Sequence, residues 1–215
     1  STLFPYTTLF RSQIDNGKTG KCVKLETRLT GDLGNMVGMP IAAGNLFIGS
    51  FDMLNAITNP LSATRFGTPF YNKPLRLTGY YKYKAGEQFY ENGEYTSRKD
   101  IFNIYAIFYD GVKYDSAGKG TDVTLDGNLP NQNYEHSSMV ALALVSNPQE
   151  TEGDEWKFFD IPFDYQRYGK KIDEARLAKG EYKIGIIFAS SKDGATFEGA
   201  PGSTLLIDEV ELIYE

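Results

Sequence analysis

"PLRLTGYYKYKAG", residues 74–86, has the side-chain alternation that decides the fold. One face carries the apolar and small residues Leu75, Leu77, Gly79, Tyr81 and Tyr83. The opposite face carries Arg76, Thr78, Tyr80, Lys82 and Lys84. A period of two over this length is typical of a β-strand that buries one face. We therefore predict a half-buried strand over residues 74–84.

Similar segments occur before and after this strand. They cover residues 21–29, 45–51, 101–111, 138–146, 155–165, 181–190 and 203–215. Asp-Gly, Asn-Gly and Lys-Gly pairs separate them, as turns separate strands. Helix formers end at Gly180 within residues 173–181, which predicts one short helix. About eight to ten strands without βαβ alternation predict an all-β protein, a two-sheet antiparallel β-sandwich of jelly-roll type with no helix longer than about three turns.

The first twelve residues, "STLFPYTTLFRS", differ in character from the rest of the chain. They lack the basic region, apolar run and cleavage site of a signal peptide, and Pro5 would confine a strand to a sheet edge. Residues 2–12 match the translation of a common short-read sequencing adapter, residue for residue. We therefore expect residues 1–12 to be non-native and to add little to the core. Residues 13–215 would form a single jelly-roll domain that lacks its native N-terminal strand.

Composition excludes several classes of partner and site. The formal net charge of −6 opposes binding to nucleic acid or to an anionic membrane. Cys22 and His136 are each the single residue of their type, so neither an internal disulfide nor a Cys/His zinc set can form. No apolar run reaches the roughly eighteen residues of a membrane span. We expect no nucleic-acid partner and no membrane span in this fragment.

Three stretches carry a family resemblance: residues 42–87, "WKFFDIPFDY" at 156–165 and "FEGAPGSTLLIDEVEL" at 197–212. Together they resemble the putative carbohydrate metabolism domain of surface or periplasmic lipoproteins from glycan-using Gram-negative gut bacteria. The resemblance implies a galactose-binding-like jelly roll at the cell surface or in the periplasm. It also implies an upstream domain in the same protein and the label of a glycoside hydrolase.

Aromatic residues are the first candidates for ligand binding, since the chain has 15 Tyr and 14 Phe. Such rings can stack on the C–H faces of sugars, and an Arg fork can hold sugar hydroxyls. The alternatives are rings packed between the sheets or under loops, and an Arg held in a structural ion pair. Alternation places Tyr80, Tyr105 and Tyr109 on outward strand faces, with Trp156 and Arg65 as rim residues. We predict binding of an oligo- or polysaccharide at these five residues.

Carboxylates decide whether the chain could be an enzyme, because glycoside hydrolysis usually needs two of them roughly 5 to 10 Å apart. Glu152 and Asp154 begin the Glu-x-Asp-x-x-Glu pattern of laminarinase-like jelly rolls, but Lys157 takes the third place. No other spacing selects a pair. The sequence therefore leaves the catalytic residues of a hydrolase unassigned.

Asp208 lies in "LLIDEVELIY" on the face that also carries Leu206 and Val210. A charge among apolar neighbours needs a partner. Related galactose-binding-like modules often hold a structural calcium ion with an acid from this last strand, and calcium accepts mixed oxygen ligands. The alternative is an Asp that accepts backbone N–H groups or pairs with Lys or Arg. No further cofactor is expected to be required.

These observations favour a noncatalytic carbohydrate-binding module of a surface or periplasmic glycan-utilisation protein. The alternative is a glycoside hydrolase that acts through a carboxylate pair, and the third hypothesis is a structural spacer domain. The fold alone does not choose among them. Exposed aromatic rings on one face favour binding, and two carboxylates that converge in a pocket favour hydrolysis. A domain with neither feature would be a spacer.

Overall fold

The computed structural model describes residues 10–36, 38–52, 54 and 58–215. The helices in this part of the chain are short: α1 (Gly31–Met36), α2 (Pro60–Ala63), α3 (Glu174–Ala178) and two 3-10 turns (Pro130–Gln132 and Lys192–Thr196). The short helix expected within residues 173–181 is α3, and Asp173 caps it by accepting N–H groups of Ala175 and Arg176. Among the described residues, no helix combines the length and hydropathy needed to cross a bilayer.

The first sheet has five antiparallel strands, with the predicted strand 74–84 near its centre. In spatial order they are β1 (Arg11–Ile14), β2 (Cys22–Glu26), β19 (Thr204–Tyr214), β9 (Pro74–Lys84) and β17 (Lys157–Pro162). The C-terminal strand β19 therefore lies between β2 and β9, and β17 is an edge strand. This order needs chain crossovers, so β9 is paired on both sides with strands that are distant in sequence.

The second sheet is also antiparallel. Its strands are β16 (Met139–Leu144), β12 (Asn103–Asp110), β18 (Tyr182–Ala189) and β5 (Asn45–Phe47), with β8 (Thr68–Phe70) also paired to β18. Three two-stranded ribbons complete the loops: β3 (Arg28–Leu29) with β4 (Ile41–Ala42), β10 (Phe89–Glu91) with β11 (Glu94–Thr96), and β13 (Val112–Tyr114) with β14 (Gly120–Asp122).

The main core lies between the two sheets. Leu77 and Tyr83 point into it from β9, and Ile104 and Phe108 point into it from β12. Leu77 and Tyr83 lie on the face of residues 74–84 that alternation predicts to be buried. The prediction of a two-sheet antiparallel β-sandwich of jelly-roll type is confirmed.

A second apolar cluster covers the outer face of the second sheet. A small three-stranded sheet packs there, formed by β6 (Gly49–Phe51), β7 (Thr64–Phe66) and β15 (Leu125–Asp126). The buried members of this cluster are Phe66, Tyr105, Ile107, Tyr109, Leu125, Leu129, Tyr134, Met139, Leu142 and Ile187. Strand β12 is therefore buried on both faces, whereas alternation predicts one outward face for it.

The N-terminal segment lies at the edge of the first sheet. Residues 1–9 are outside the described residues, so most of the segment assigned to the adapter cannot be placed. Phe10 is buried, whereas Arg11 and Ser12 are exposed on the edge strand β1. The boundary at residue 13 and the loss of a native strand stay predictions.

Candidate functional site

The outer face of the first sheet brings aromatic rings together in solvent. Strand β17 alternates, with Phe159 and Ile161 buried and Phe158 exposed. The register of β17 against β9 places Phe158 directly opposite Tyr80. Their ring centroids are 5.1 Å apart and their planes are inclined by 54°. Phe158 is 57% exposed, so this pair offers a ring to a ligand without a change in the backbone.

Trp156 extends this face towards the acidic turn that precedes β17. The ammonium nitrogen of Lys82 lies 5.1 Å from the Trp156 ring centroid, a cation–π contact. Lys82 is itself nearly buried and pairs with the exposed Asp154 at 3.3 Å. Trp156 is half-buried, so it retains an exposed portion. We call Tyr80, Trp156 and Phe158 the outer aromatic patch.

The β1–β2 loop packs over one end of this patch. The Lys18 ammonium lies 3.3 Å from the Tyr80 ring centroid and covers one face of that ring. The backbone N–H groups of Lys18 and Thr19 donate to Asp208 Oδ2 at 2.7 and 3.3 Å. Gly17 allows this close approach, because a Cβ there would lie 2.8 Å from the same oxygen. Asp208 therefore positions the loop that covers Tyr80.

Hydrogen bonds from backbone N–H groups satisfy the Asp208 carboxylate without a metal ion. Its Oδ2 accepts the two loop N–H groups, and its Oδ1 accepts the N–H of Glu209 at 2.9 Å. Among the described residues, no three His, Cys, Asp or Glu side chains converge on a metal position. Since N–H donors point at the carboxylate, its surroundings do not fit a calcium ion. Burial and, to a smaller degree, the charge of Asp208 raise the pKa of the neighbouring Cys22 thiol.

A cleft of about 450 Å³ adjoins the patch between the edge strands β16 and β17. Phe158 lines both the patch and this cleft, together with two carboxylates, Asp160 and Asp164. Asp160 Oδ1 accepts Arg76 Nε at 2.6 Å, and this bond raises the pKa of Arg76. Asp164 Oδ1 accepts the N–H groups of Gln166 and Arg167 at 2.9 and 3.1 Å. Both acids therefore already accept hydrogen bonds from other groups of the chain.

Tyr105 and Tyr109 do not belong to an exposed face, so the prediction that they point into solvent is wrong. They lie on the outer face of β12 as alternation predicted, but the second apolar cluster covers them. Tyr105 is 3% exposed and Tyr109 is fully buried. The Tyr109 hydroxyl donates to the Phe66 carbonyl at 2.6 Å. Neither ring is available to stack on a sugar in this conformation.

Arg65 also lies away from the outer aromatic patch. It sits on β7, in the layer that covers the second sheet, and pairs with Asp52 at 3.0 Å. This is the structural ion pair given above as the alternative to sugar binding. Of the five predicted carbohydrate-binding residues, the structure brings together only Tyr80 and Trp156 on one exposed face.

Phe158 is the residue of this site that sequence reasoning missed. The alternation of "WKFFDIP" puts Trp156, Phe158 and Asp160 on one face, so the signal was present. The pattern alone does not show that this face is exposed, because a Phe in a sandwich strand is more often buried than exposed. The pairing of Phe158 with Tyr80 depends on the register between two distant strands.

A buried carboxyl elsewhere has the raised pKa that a general acid needs, but it lacks access to a substrate. Burial raises the pKa of Asp100, which is 2% exposed. Its Oδ2 accepts hydrogen bonds from Ser191 Oγ, Ser203 Oγ and the Ala200 N–H. Asp100 therefore acts as a structural acceptor that links loops of the sandwich.

Comparisons with known proteins agree with this architecture. The family model described as "putative carbohydrate metabolism domain" matches residues 4–213. A structure described as a "putative glycoside hydrolase" from Bacteroides vulgatus is 54% identical, with a TM-score of 0.87, over 96% of this chain and 78% of that one. A second structure of the same description, from Bacteroides thetaiotaomicron, is 50% identical, with a TM-score of 0.85, over 96% of this chain and 57% of that one.

No curated protein is significantly similar to the chain. The two solved relatives are longer than the chain, which spans 78% and 57% of their lengths. The match over residues 4–213 nevertheless includes both sheets and the outer aromatic patch. The chain belongs to the putative carbohydrate metabolism domain family.

Proposed function

We propose that this domain binds carbohydrate without hydrolysing it, through the outer aromatic patch. The observation that carries the proposal is the exposed ring of Phe158, held against Tyr80 on paired strands beside Trp156. A ring of this kind offers a flat apolar surface to the C–H face of a sugar. Membership of a carbohydrate-related family supports this class of ligand.

The patch needs little ordering before it binds. Tyr80 and Phe158 lie on neighbouring strands, and strand-borne side chains keep their direction without a ligand. Binding to a preformed surface avoids the entropy cost of fixing side chains. Asp160 and Arg76 lie two and four residue pairs further along the same strands and offer polar partners to sugar hydroxyls. The rings are inclined to each other, so a ligand would follow a bent surface.

A glycoside hydrolase is the second candidate, since Asp160 and Asp164 line one cleft beside the patch. The description of the two solved relatives favours the same candidate. A hydrolase also needs a protonated carboxyl to act as general acid. Asp160 holds the Arg76 guanidinium, and Asp164 accepts two backbone N–H groups, so both carboxyl groups already have partners within the fold. We therefore place binding before hydrolysis.

The proposal is tested by screening the chain on a glycan array and measuring affinity for each hit by calorimetry. Phe158→Ala and Trp156→Ala should each weaken binding several-fold, because a stacked ring contributes on the order of 1 kcal/mol. Tyr71→Ala is the matched control, since Tyr71 is 57% exposed, as Phe158 is, and lies beside Gly180. Equal affinity of Phe158→Ala and Tyr71→Ala would overturn the proposal.

The same glycans decide between binding and hydrolysis. Chromatography of a long incubation should show intact oligosaccharide with the wild-type chain. Products that vanish in Asp160→Asn or Asp164→Asn would establish the hydrolase instead. A chain that binds no glycan in any format would leave the structural spacer domain as the remaining hypothesis.

The location of the full protein is part of the proposal. The resemblance to surface lipoproteins supports a place at the cell surface or in the periplasm, with an upstream domain in the same protein. Digestion of intact cells with an added protease, followed by detection of this domain, separates the two locations. Loss of the domain from intact cells indicates the surface, and retention until the outer membrane is opened indicates the periplasm.

A further inference from the structure

A second groove, of about 710 Å³, lies at a different part of the molecule. The β10–β11 hairpin forms one wall, the segment around β3 and α1 forms another, and residues 196–198 close the end. Its lining includes Leu29, Tyr90, Asn92, Tyr95, Phe197 and Glu198. We call it the hairpin groove. It shares no residue with the outer aromatic patch.

The groove presents a pair of tyrosines to solvent. Tyr90 and Tyr95 are directly opposite each other across the hairpin, with ring centroids 5.3 Å apart at 73°. Tyr95 is 50% exposed, and Leu29 on the facing wall is 56% exposed. Both rings also carry a hydroxyl, so each offers an apolar face and a polar tip to one ligand.

The hairpin is held rigidly in place. Its turn residues Asn92 and Gly93 have φ values of 51° and 88°, the left-handed conformation that Asn-Gly hairpin turns use. The Tyr90 N–H donates to the Gly199 carbonyl at 2.9 Å, and the Gly199 N–H donates to the Tyr90 carbonyl at 3.1 Å. The Arg98 guanidinium bridges the hairpin to the 3-10 turn Lys192–Thr196 through Glu91 and Asp193. The two rings are therefore preorganised.

The polar groups of the groove indicate which ligand it suits. Asn92, Thr196 and Asn35 offer hydroxyl and amide groups, and Glu198 adds one carboxylate. None of the described lining residues is Lys or Arg, so an anionic ligand would meet no cationic partner. Neutral ligands rich in hydroxyl groups can use both the rings and the amides.

We propose that the hairpin groove is a second carbohydrate-binding site, for a neutral oligosaccharide. This inference rests on the proposed function for its class of ligand but not for its residues. With two sites, one domain could bind two polysaccharide molecules, or two segments of the same polysaccharide. Binding to a polysaccharide would then be tighter than binding to an oligosaccharide, through effective concentration.

The test is two-dimensional NMR of the labelled chain with neutral hexasaccharides of glucose, mannose, xylose and galactose. Hexagalacturonate serves as the anionic contrast. We expect the neutral probes to shift amide signals of residues 90–95 and 196–198. Tyr95→Ala should weaken that binding about three- to ten-fold, as expected for one lost stacking contact. The ligand-induced shifts of residues 156–160 should stay as they are in the wild-type chain. Tyr95→Phe keeps the ring and should retain most of the affinity.

The two proposals fail in different ways in this experiment. Ligand shifts confined to residues 156–160 would overturn the second site and support the outer aromatic patch. Ligand shifts confined to the hairpin groove would support the second site and overturn the patch. A stronger response to hexagalacturonate would overturn the neutral class of ligand, and no shift with any probe would overturn both proposals.

Discussion

The ammonium of Lys18 lies 3.3 Å from the centroid of the Tyr80 ring, so the loop between the first two strands covers a ring of the candidate site. Tyr80 and Phe158 thus differ in access although they are paired across the sheet. Phe158 is open to solvent, whereas Lys18 covers one face of the half-buried Tyr80 ring. This contact makes the relative roles of the two rings testable.

Lys18→Ala should strengthen glycan binding at the outer aromatic patch. The substitution uncovers Tyr80 and keeps the N–H that Asp208 accepts, so the loop stays in place. One more accessible ring is worth about 1 kcal/mol, or roughly five-fold in affinity. Calorimetry of Lys18→Ala, Tyr80→Ala and the double variant checks this. An equal gain in the double variant would show that Tyr80 is not the cause.

Removal of divalent cations should leave the stability of the chain unchanged. The oxygens of Asp208 accept N–H groups of Lys18, Thr19 and Glu209, so no ion is needed there. The melting temperature should be the same with a chelator and with added calcium. Asp208→Ala should cost about 0.5–1.5 kcal/mol, as for a typical hydrogen bond. A lower melting temperature in the chelator would establish the calcium site instead.

Tyr109 should act on stability and not on binding. It is fully buried, and its hydroxyl donates to the Phe66 carbonyl. Tyr109→Ala should destabilise the fold by about 3–5 kcal/mol, the range for removal of a large buried ring. Tyr109→Phe loses the hydrogen bond alone and should cost about 1–2 kcal/mol. Urea unfolding measures both, and lost affinity with unchanged stability would contradict the buried assignment.

The stability contributed by Asp100 should fall as the pH rises. Burial raises its pKa above the ordinary value of 3.8, so the folded chain holds this proton more tightly than the unfolded chain does. The contribution is fully present below about pH 4 and is lost as the pH rises through the raised pKa of the folded state. Asp100→Asn cannot ionise and lacks this dependence.

At low pH, Asp100→Asn should have a free energy of unfolding about 1–3 kcal/mol below that of wild type. Urea unfolding between pH 4 and pH 7 should show that this difference becomes smaller as the pH rises. The exposed Glu94→Gln is the control substitution. A gap that stays constant or widens with pH would contradict the raised pKa.

The strands were predictable because alternation is a local property of the chain. Strand β9 has the predicted bounds, Pro74–Lys84, and β12, β18 and β19 lie within their predicted segments. Short helix α3 was also predictable, since its capping Asp173 and closing Gly180 are close in sequence. Period and turn residues act over a few positions, so they can be recognised without the fold.

Exposure was not predictable in the same way, as Tyr105 and Tyr80 show. Alternation places both rings on the outer side of a sandwich strand, but it does not say what lies over that side. Phe66 and Tyr134, distant in sequence, cover Tyr105, and Lys18 covers one face of Tyr80.

The amino-acid sequence by itself determined which segments form strands and which side of each strand a residue occupies. Only the tertiary structure decided which outer face is buried and which remains open. It also decided that Phe158 pairs with Tyr80, because the register of β17 on β9 joins residues far apart in the chain. The reason is physical: side-chain direction follows from local backbone geometry, whereas burial depends on non-local packing.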